Sequence, residues 1–272
     1  MRALEFTFMR QALIACAIVA AVAPLVGAFV VQRGQSLIGD GMGHVAFAGV
    51  GLAFLVSVNP IVGALVLTLI AAVALHRLAR GGLPQDLSLA LIFYGGIAGG
   101  FLFANRAGAG AAGLLGFLFG SPLNLRWTEV GTIAVLALAV CVVVILLYGP
   151  LVAIAFDEEA ARVSGVPTDG LVLALTVVVA LVVVGGMSTI GLLQVSSMMI
   201  IPVATAAQIA SSYRGTLVLG SAVGACSAII GLFTAFYADL APGAAIVLTA
   251  IALYAIVALG RNVSSRLSAR SG

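Results

Sequence analysis

Apolar residues occupy this chain in blocks of about 17 to 22, the length a helix needs to cross the hydrocarbon core of a bilayer. The blocks run Gln11–Val31, Gly41–Val58, Ile61–Leu78, Leu87–Asn105, Val130–Tyr148, Leu171–Gly191, Leu193–Ser211, Thr216–Tyr237 and Gly243–Gly260. They predict an all-α polytopic membrane protein of about nine transmembrane helices, a single permease-like domain over residues 1–272. The second and seventh blocks hold glycine or serine and abut their neighbours with almost no loop. A count of about eight, with both chain ends on one side, therefore stays open. Arg2 and Arg10 precede the first block as they would a signal peptide's apolar region, but the block continues to Val31. That is longer than such a region and long enough to span.

Two polar interruptions matter. In residues 156–170, Asp157 can cap a short helix whose positive first turn holds Glu158 and Glu159; Gly165 and Pro167 stop it after about two turns, outside the bilayer. Residues 106–129 contain the apolar stretch Leu114–Phe119, closed by Ser121 and Pro122. It is too short to cross, and reads either as a re-entrant or surface helix or as a plain connector. Further on, Gly185, Gly186 and Gly191 break the sixth block, and Pro202 interrupts the seventh. Broken helices at membrane depth line cavities or lie buried in protein. Gln194 and Ser197 are candidate pathway-lining residues, with interhelical hydrogen bonding the competing reading for Ser196 and Ser197.

Composition narrows the classes. With 63% hydrophobic and 8% charged residues and a mean hydropathy of +1.28, the chain is not a soluble domain, and lipid is its surrounding. The net charge of +3 is carried by arginine without any lysine, spread over many elements. It reads as topology, and nucleic acid is not a partner. If residues 156–170 are cytoplasmic, the inner side holds Arg33, Arg77, Arg80, Arg162, Arg214, Arg261, Arg266 and Arg270, and the outer side Arg2, Arg10, Arg106 and Arg126. The C-terminus is then cytoplasmic. Parity with nine spans places the N-terminus outside, which Arg2 and Arg10 oppose. Cys16, Cys141 and Cys226 are widely spaced within apolar blocks and read as small core residues. No GxxxxGK[ST] phosphate loop occurs, so ATP hydrolysis has to come from another polypeptide and the chain itself is not an enzyme.

One stretch carries candidate chemistry. Ser36–Phe54 reads SLIGDGMGHVAFAGVGLAF and places Asp40 and His44 four residues apart in an apolar setting. On a helix the two side chains share a face one turn apart, which lets a carboxylate oxygen and an imidazole nitrogen approach one divalent cation. Such a pair in a membrane is costly and functional by default. Two structural roles compete with this: Asp40 can cap the helix through the N–H of Met42 or Gly43, and His44 can be a hydrogen-bonded core residue. The glycines 39, 41, 43, 49 and 51 keep the segment slim for another backbone or for a second copy of the helix. One chain offers two good ligands where a transition metal takes about four to six, so a homodimer sharing the path is expected. His76 and Asp86 read as loop residues near the exit.

Ser36, Leu37, Gly39, Asp40, His44, Gly49, Ala53 and Phe54 match the pattern SLxGDAxSHAxxPGxAxAF. The stretch thus resembles the signature of bacterial ABC-3 type metal permeases. Gly43 stands where Ser is usual and Ala48 where Pro is usual, and neither change removes a candidate ligand. The resemblance extends through FDEEAARVSGVP and GLLQVSSMMIIPVATA. It implies a type II importer fold like that of the vitamin-B12 permease, in the plasma (inner) membrane of a bacterium. The function implied is the permease subunit of an ATP-binding-cassette importer for a divalent metal, zinc foremost, with manganese or iron next. The metal is then transported rather than held as a permanent cofactor, and Asp40 and His44 contact it. Residues 156–170 become the coupling segment, with Asp157, Glu158, Glu159, Arg162 and Gly165 facing a cytoplasmic ATPase, and residues 106–129 face an extracytoplasmic metal-binding protein. Two alternatives stand beside this: a cation-coupled secondary transporter with Asp40 and His44 as proton relay, and an ABC permease for an iron chelate, against which the two ligands speak.

Overall fold

Each apolar block folds as a helix in the computed structural model, which describes residues 5–108, 116–120, 122 and 125–268. The elements are α1 (Thr7–Gln32), α2 (Ile38–Leu55), α3 (Pro60–Arg80), α4 (Gln85–Arg106), α5 (Trp127–Leu146), α6 (Tyr148–Phe156), α7 (Glu158–Val163), α8 (Thr168–Gly186), α9 (Leu192–Ala207), α10 (Tyr213–Ala238) and α11 (Pro242–Ser268). Of these, 8 are long and apolar enough to cross a membrane. The protein is a multi-pass, all-helical membrane protein. Besides the short α6 and α7, α9 falls out of this set: its 16 residues extend only about 24 Å, short of a bilayer core.

The ambiguity between eight and nine spans has a structural origin in this short helix. The chain turns at 187–191 with Met187, Thr189 and Ile190 fully buried, and Gly191 at φ +102° starts α9. Gly43 faces the carbonyl of Leu192, so α9 begins about three turns before α2 ends. A buried turn needs its backbone groups satisfied. Here the N–H groups of Thr189, Ile190 and Gly191 all donate to the Gly186 carbonyl. Gly120, at φ +74°, covers the turn so closely that a Cβ there would lie 2.4 Å from the Thr189 carbonyl oxygen. Residues 116–120 therefore fold down onto the bundle, with Phe117 edge-on to Phe54 at 6.3 Å. Leu114 and Ser121 lie outside the described residues, as do Arg2 and Arg270.

α2 is the most enclosed of the spanning helices, 72% buried, because its glycines let three neighbours reach its backbone. A Cβ on Gly49 would stand 2.5 Å from the Gly63 carbonyl of α3, and one on Gly96 of α4 2.6 Å from the His44 carbonyl carbon. Gly39 faces Ser196 and Met199 of α9. The slim face thus admits helices of the same chain, where a second copy was an equally open expectation. Close backbone approach gives dispersion contact that lipid alone does not offer.

Two elements differ from the sequence expectation. The fifth span ends at Leu146, close to the expected Tyr148, but a separate helix, α6, follows, burying Leu151, Ile154 and Ala155, where the sequence reading placed no element before residue 156. α11 runs on past Gly260 to Ser268. The helix directions alternate so that the C-terminal ends of α1 and α3 meet α7 at one end of the bundle. Phe6 packs on Phe236 at the other end, and Arg261 of α11 donates to the Gln208 carbonyl at 2.9 Å near the α7 end. Phe6 and Arg261 therefore sit at opposite ends of the bundle.

Candidate functional site

Asp40 and His44 occupy the first turns of α2. The helix starts at Ile38 with Leu37 as N-cap and no side-chain cap, so Asp40 is already helical and does not play the capping role. The i, i+4 geometry that a cap would have spoiled is intact. Both side chains are half-buried. His44 meets the Phe93 ring of α4 edge-on at 4.4 Å, which orients the imidazole without using a nitrogen. Asp40 accepts through Oδ1 from the Ser196 hydroxyl of α9 at 2.5 Å. Among the described residues this is the polar side-chain contact that Asp40 makes, and Oδ2 has no hydrogen-bond partner among them.

The depth follows from the packing. Gly27 of α1 lies against the Met199 carbonyl, and Gly39 lies against the same residue. Gly27 is about 9 Å along α1 from Arg33, and Arg33 marks the α7 end. Asp40 thus stands inside the bundle rather than at its rim. Gln194, with its carboxamide nitrogen turned to the carbonyls of Leu118 and Ile190, donates at 3.2 Å to each. It ties the buried 187–191 turn to residues 116–120. Ser197 is half-buried. His76, expected in a loop, lies within α3, and Asp86 lies in the first turn of α4.

At the α7 end the polar residues are paired with one another. Asp157 caps α7, accepting from the Ala160 N–H at 2.9 Å. Glu158 accepts from Arg33 at 2.7 Å and from Arg162 at 3.0 Å. Arg33, whose side chain is only 8% exposed, also donates to the Ile154 carbonyl at 2.9 Å. Arg162 continues to Thr168 at 3.1 Å, and Asp169 pairs with Arg80 of α3. Gly165 takes φ +82°, the left-handed conformation that ends the helix. What α7 presents outward is Glu159, Val163 at 86% exposure and the preceding Phe156 at 60%. Beneath it a cavity of about 370 Å³ is lined by Arg33, His76, Arg80, Glu158, Arg162 and Asp169.

Residues 5–261 match the ABC 3 transport family. The chain belongs to that family. It is similar to the manganese transport system membrane protein MntC of Halalkalibacterium halodurans, with 29% identity covering 93% of this chain and 87% of the relative. To the manganese import system permease protein ScaB of Streptococcus parasanguinis it is 31% identical, covering 93% and 90%. Among solved structures it resembles PsaBC from Streptococcus pneumoniae in complex with Fab, at a TM-score of 0.85 and 30% identity over 93% of this chain and 92% of that one. The protein is thus a permease of a metal ABC importer, which sets aside the cation-coupled alternative. Sequence reasoning placed Asp40 and His44 on one helix, as α2 does, but missed Arg33 as a buried partner of Glu158, since a lone arginine after an apolar block reads as a solvated topology signal.

Proposed function

We propose that this permease forms the membrane path of an ATP-driven manganese importer in a bacterial plasma membrane, and works as a homodimer. The observation that carries this is the pairing of a free carboxylate oxygen with an imidazole on one face of α2, inside the bundle. A mixed O/N donor set suits manganese, zinc and iron alike. The relatives are named for manganese, so the order of expectation, which began with zinc, becomes manganese first. Among the described residues no group of three or more His, Cys, Asp or Glu side chains stands close enough to hold an ion. Two ligands from each of two copies supply the coordination that one chain lacks. Incomplete, exchangeable coordination suits transport, since an ion held too tightly is not released.

In this reading α7 is the coupling helix on the cytoplasmic side, docking a separate ATPase through Phe156, Glu159 and Val163, while Asp157, Glu158, Arg162 and Gly165 hold its shape. The arginine distribution supports that side for α7 and for the C-terminus. Residues 106–129 face an extracytoplasmic metal-binding protein at the other end. Reconstitution of the permease with its ATPase and binding protein into vesicles, followed by uptake of radioactive manganese with and without ATP, tests the proposal. ATP-dependent uptake, inhibited by excess manganese more strongly than by equal zinc, is the expected outcome. Uptake that proceeds without the ATPase, or that favours zinc, overturns it.

A further inference from the structure

Four buried hydroxyls among the described helices bond to their own helix. Thr68, Thr176, Thr205 and Ser227 each donate to the carbonyl four residues back, at 2.7–2.9 Å. Ser196, 1% exposed, instead reaches across to α2 and donates to Asp40 Oδ1. Gly39 makes the crossing short, since a Cβ there would lie 3.0 Å from Ser196 Cβ. An internal carbonyl bond was available to this serine by the same helical geometry. The crossing bond therefore directs the carboxylate rather than merely satisfying the hydroxyl.

We infer that Ser196 is a positioning residue that holds Asp40 as a single-oxygen ligand and so biases the path towards transition-metal ions and against calcium. This rests on the reading that Asp40 contacts the ion. A carboxylate with one oxygen engaged by a hydroxyl proton offers the other oxygen as its stronger donor. Calcium takes about six to eight oxygens and often binds a carboxylate through both. A smaller ion with imidazole affinity is content with one oxygen beside His44. Ser196 also restrains the Asp40 side chain, one turn of α2 from His44. Outer hydrogen-bond partners of metal ligands act in this way generally, orienting the ligand and tuning its basicity.

The test uses the reconstituted complex and measures radioactive manganese uptake against manganese concentration, with calcium as competitor, normalised to inserted permease. Ser196→Ala is expected to raise the KM for manganese about tenfold, hold Vmax within about twofold, and lower the calcium concentration that halves uptake about tenfold. Ser196→Cys, which keeps a weak donor of similar size, should fall between; it carries the same test if the alanine variant does not insert. Wild-type KM and calcium sensitivity in these variants, or a fall in Vmax alone, overturn the positioning role. Asp40→Asn run in parallel separates the layers. If it transports as wild type, the Asp40 site itself fails; if it is inactive while Ser196→Ala is unaltered, only the role of Ser196 fails.

Discussion

The α7 end and the interior of α2 both hold acids, yet use them differently. At α7, Glu158 is bound by Arg33 and Arg162, and Asp169 by Arg80, so each carboxylate is spent on holding four helices in register. Around Asp40 one serine supplies the single polar contact among the described residues, and the other carboxylate oxygen is left over. The difference teaches where binding capacity resides: a charge matched by charge is architecture, whereas a charge only partly satisfied in a costly place is available to a ligand.

The largest test of this contrast is to neutralise the interior acid. Asp40→Asn keeps size and hydrogen-bonding capacity but removes the charge, and should lower manganese uptake at least about tenfold, since a direct ligand counts for no less than an outer partner. His44→Leu, which fills the space without a lone pair, should do the same. Unchanged melting temperatures for both variants in detergent, beside the lost uptake, would sharpen the contrast. Wild-type uptake would break it.

Removing a charge at the other end should have the opposite signature. Arg33→Met leaves Glu158 with one partner and the Ile154 carbonyl with none. Breaking a buried pair by one partner costs about 3–5 kcal/mol. Glu158 is 36% exposed, so about 1–3 kcal/mol is the expectation here. This should appear as a lower melting temperature with part of the uptake retained.

Glu159 and Glu158 sharpen the comparison within one helix. Glu159→Lys changes only an exposed face and should leave melting unaltered while abolishing stimulation of the ATPase. Glu158→Lys sets a third cation between Arg33 and Arg162 and should lower stability as well. Equal ATPase stimulation by wild type and Glu159→Lys would remove α7 as the docking helix. The smallest effect belongs to Arg80→Ala, where the side chains of Arg80 and Asp169 are 60% and 45% exposed. A loss of about 0.2–1 kcal/mol that shrinks with added salt is expected, read by melting at two ionic strengths.

Much of this was legible in the sequence, and for a physical reason. Lipid requires long apolar runs and internally bonded backbone, so the apolar pattern dictated the spanning helices, their order and the polar segment of α7, down to the Asp157 cap and the Gly165 stop, though not the separate helix α6. Spacing alone paired Asp40 with His44, because helical geometry is local. Tertiary structure decided what no local rule reaches. It buried the 187–191 turn and so made α9 short. It set Gly27 of α1 and Gly39 of α2 on the same Met199 of α9, and it joined Ser196 to Asp40 and Arg33 to Glu158 across 156 and 125 residues of chain. Those partners are chosen by which backbones pack closely enough, and close packing is a property of pairs of helices rather than of any one segment.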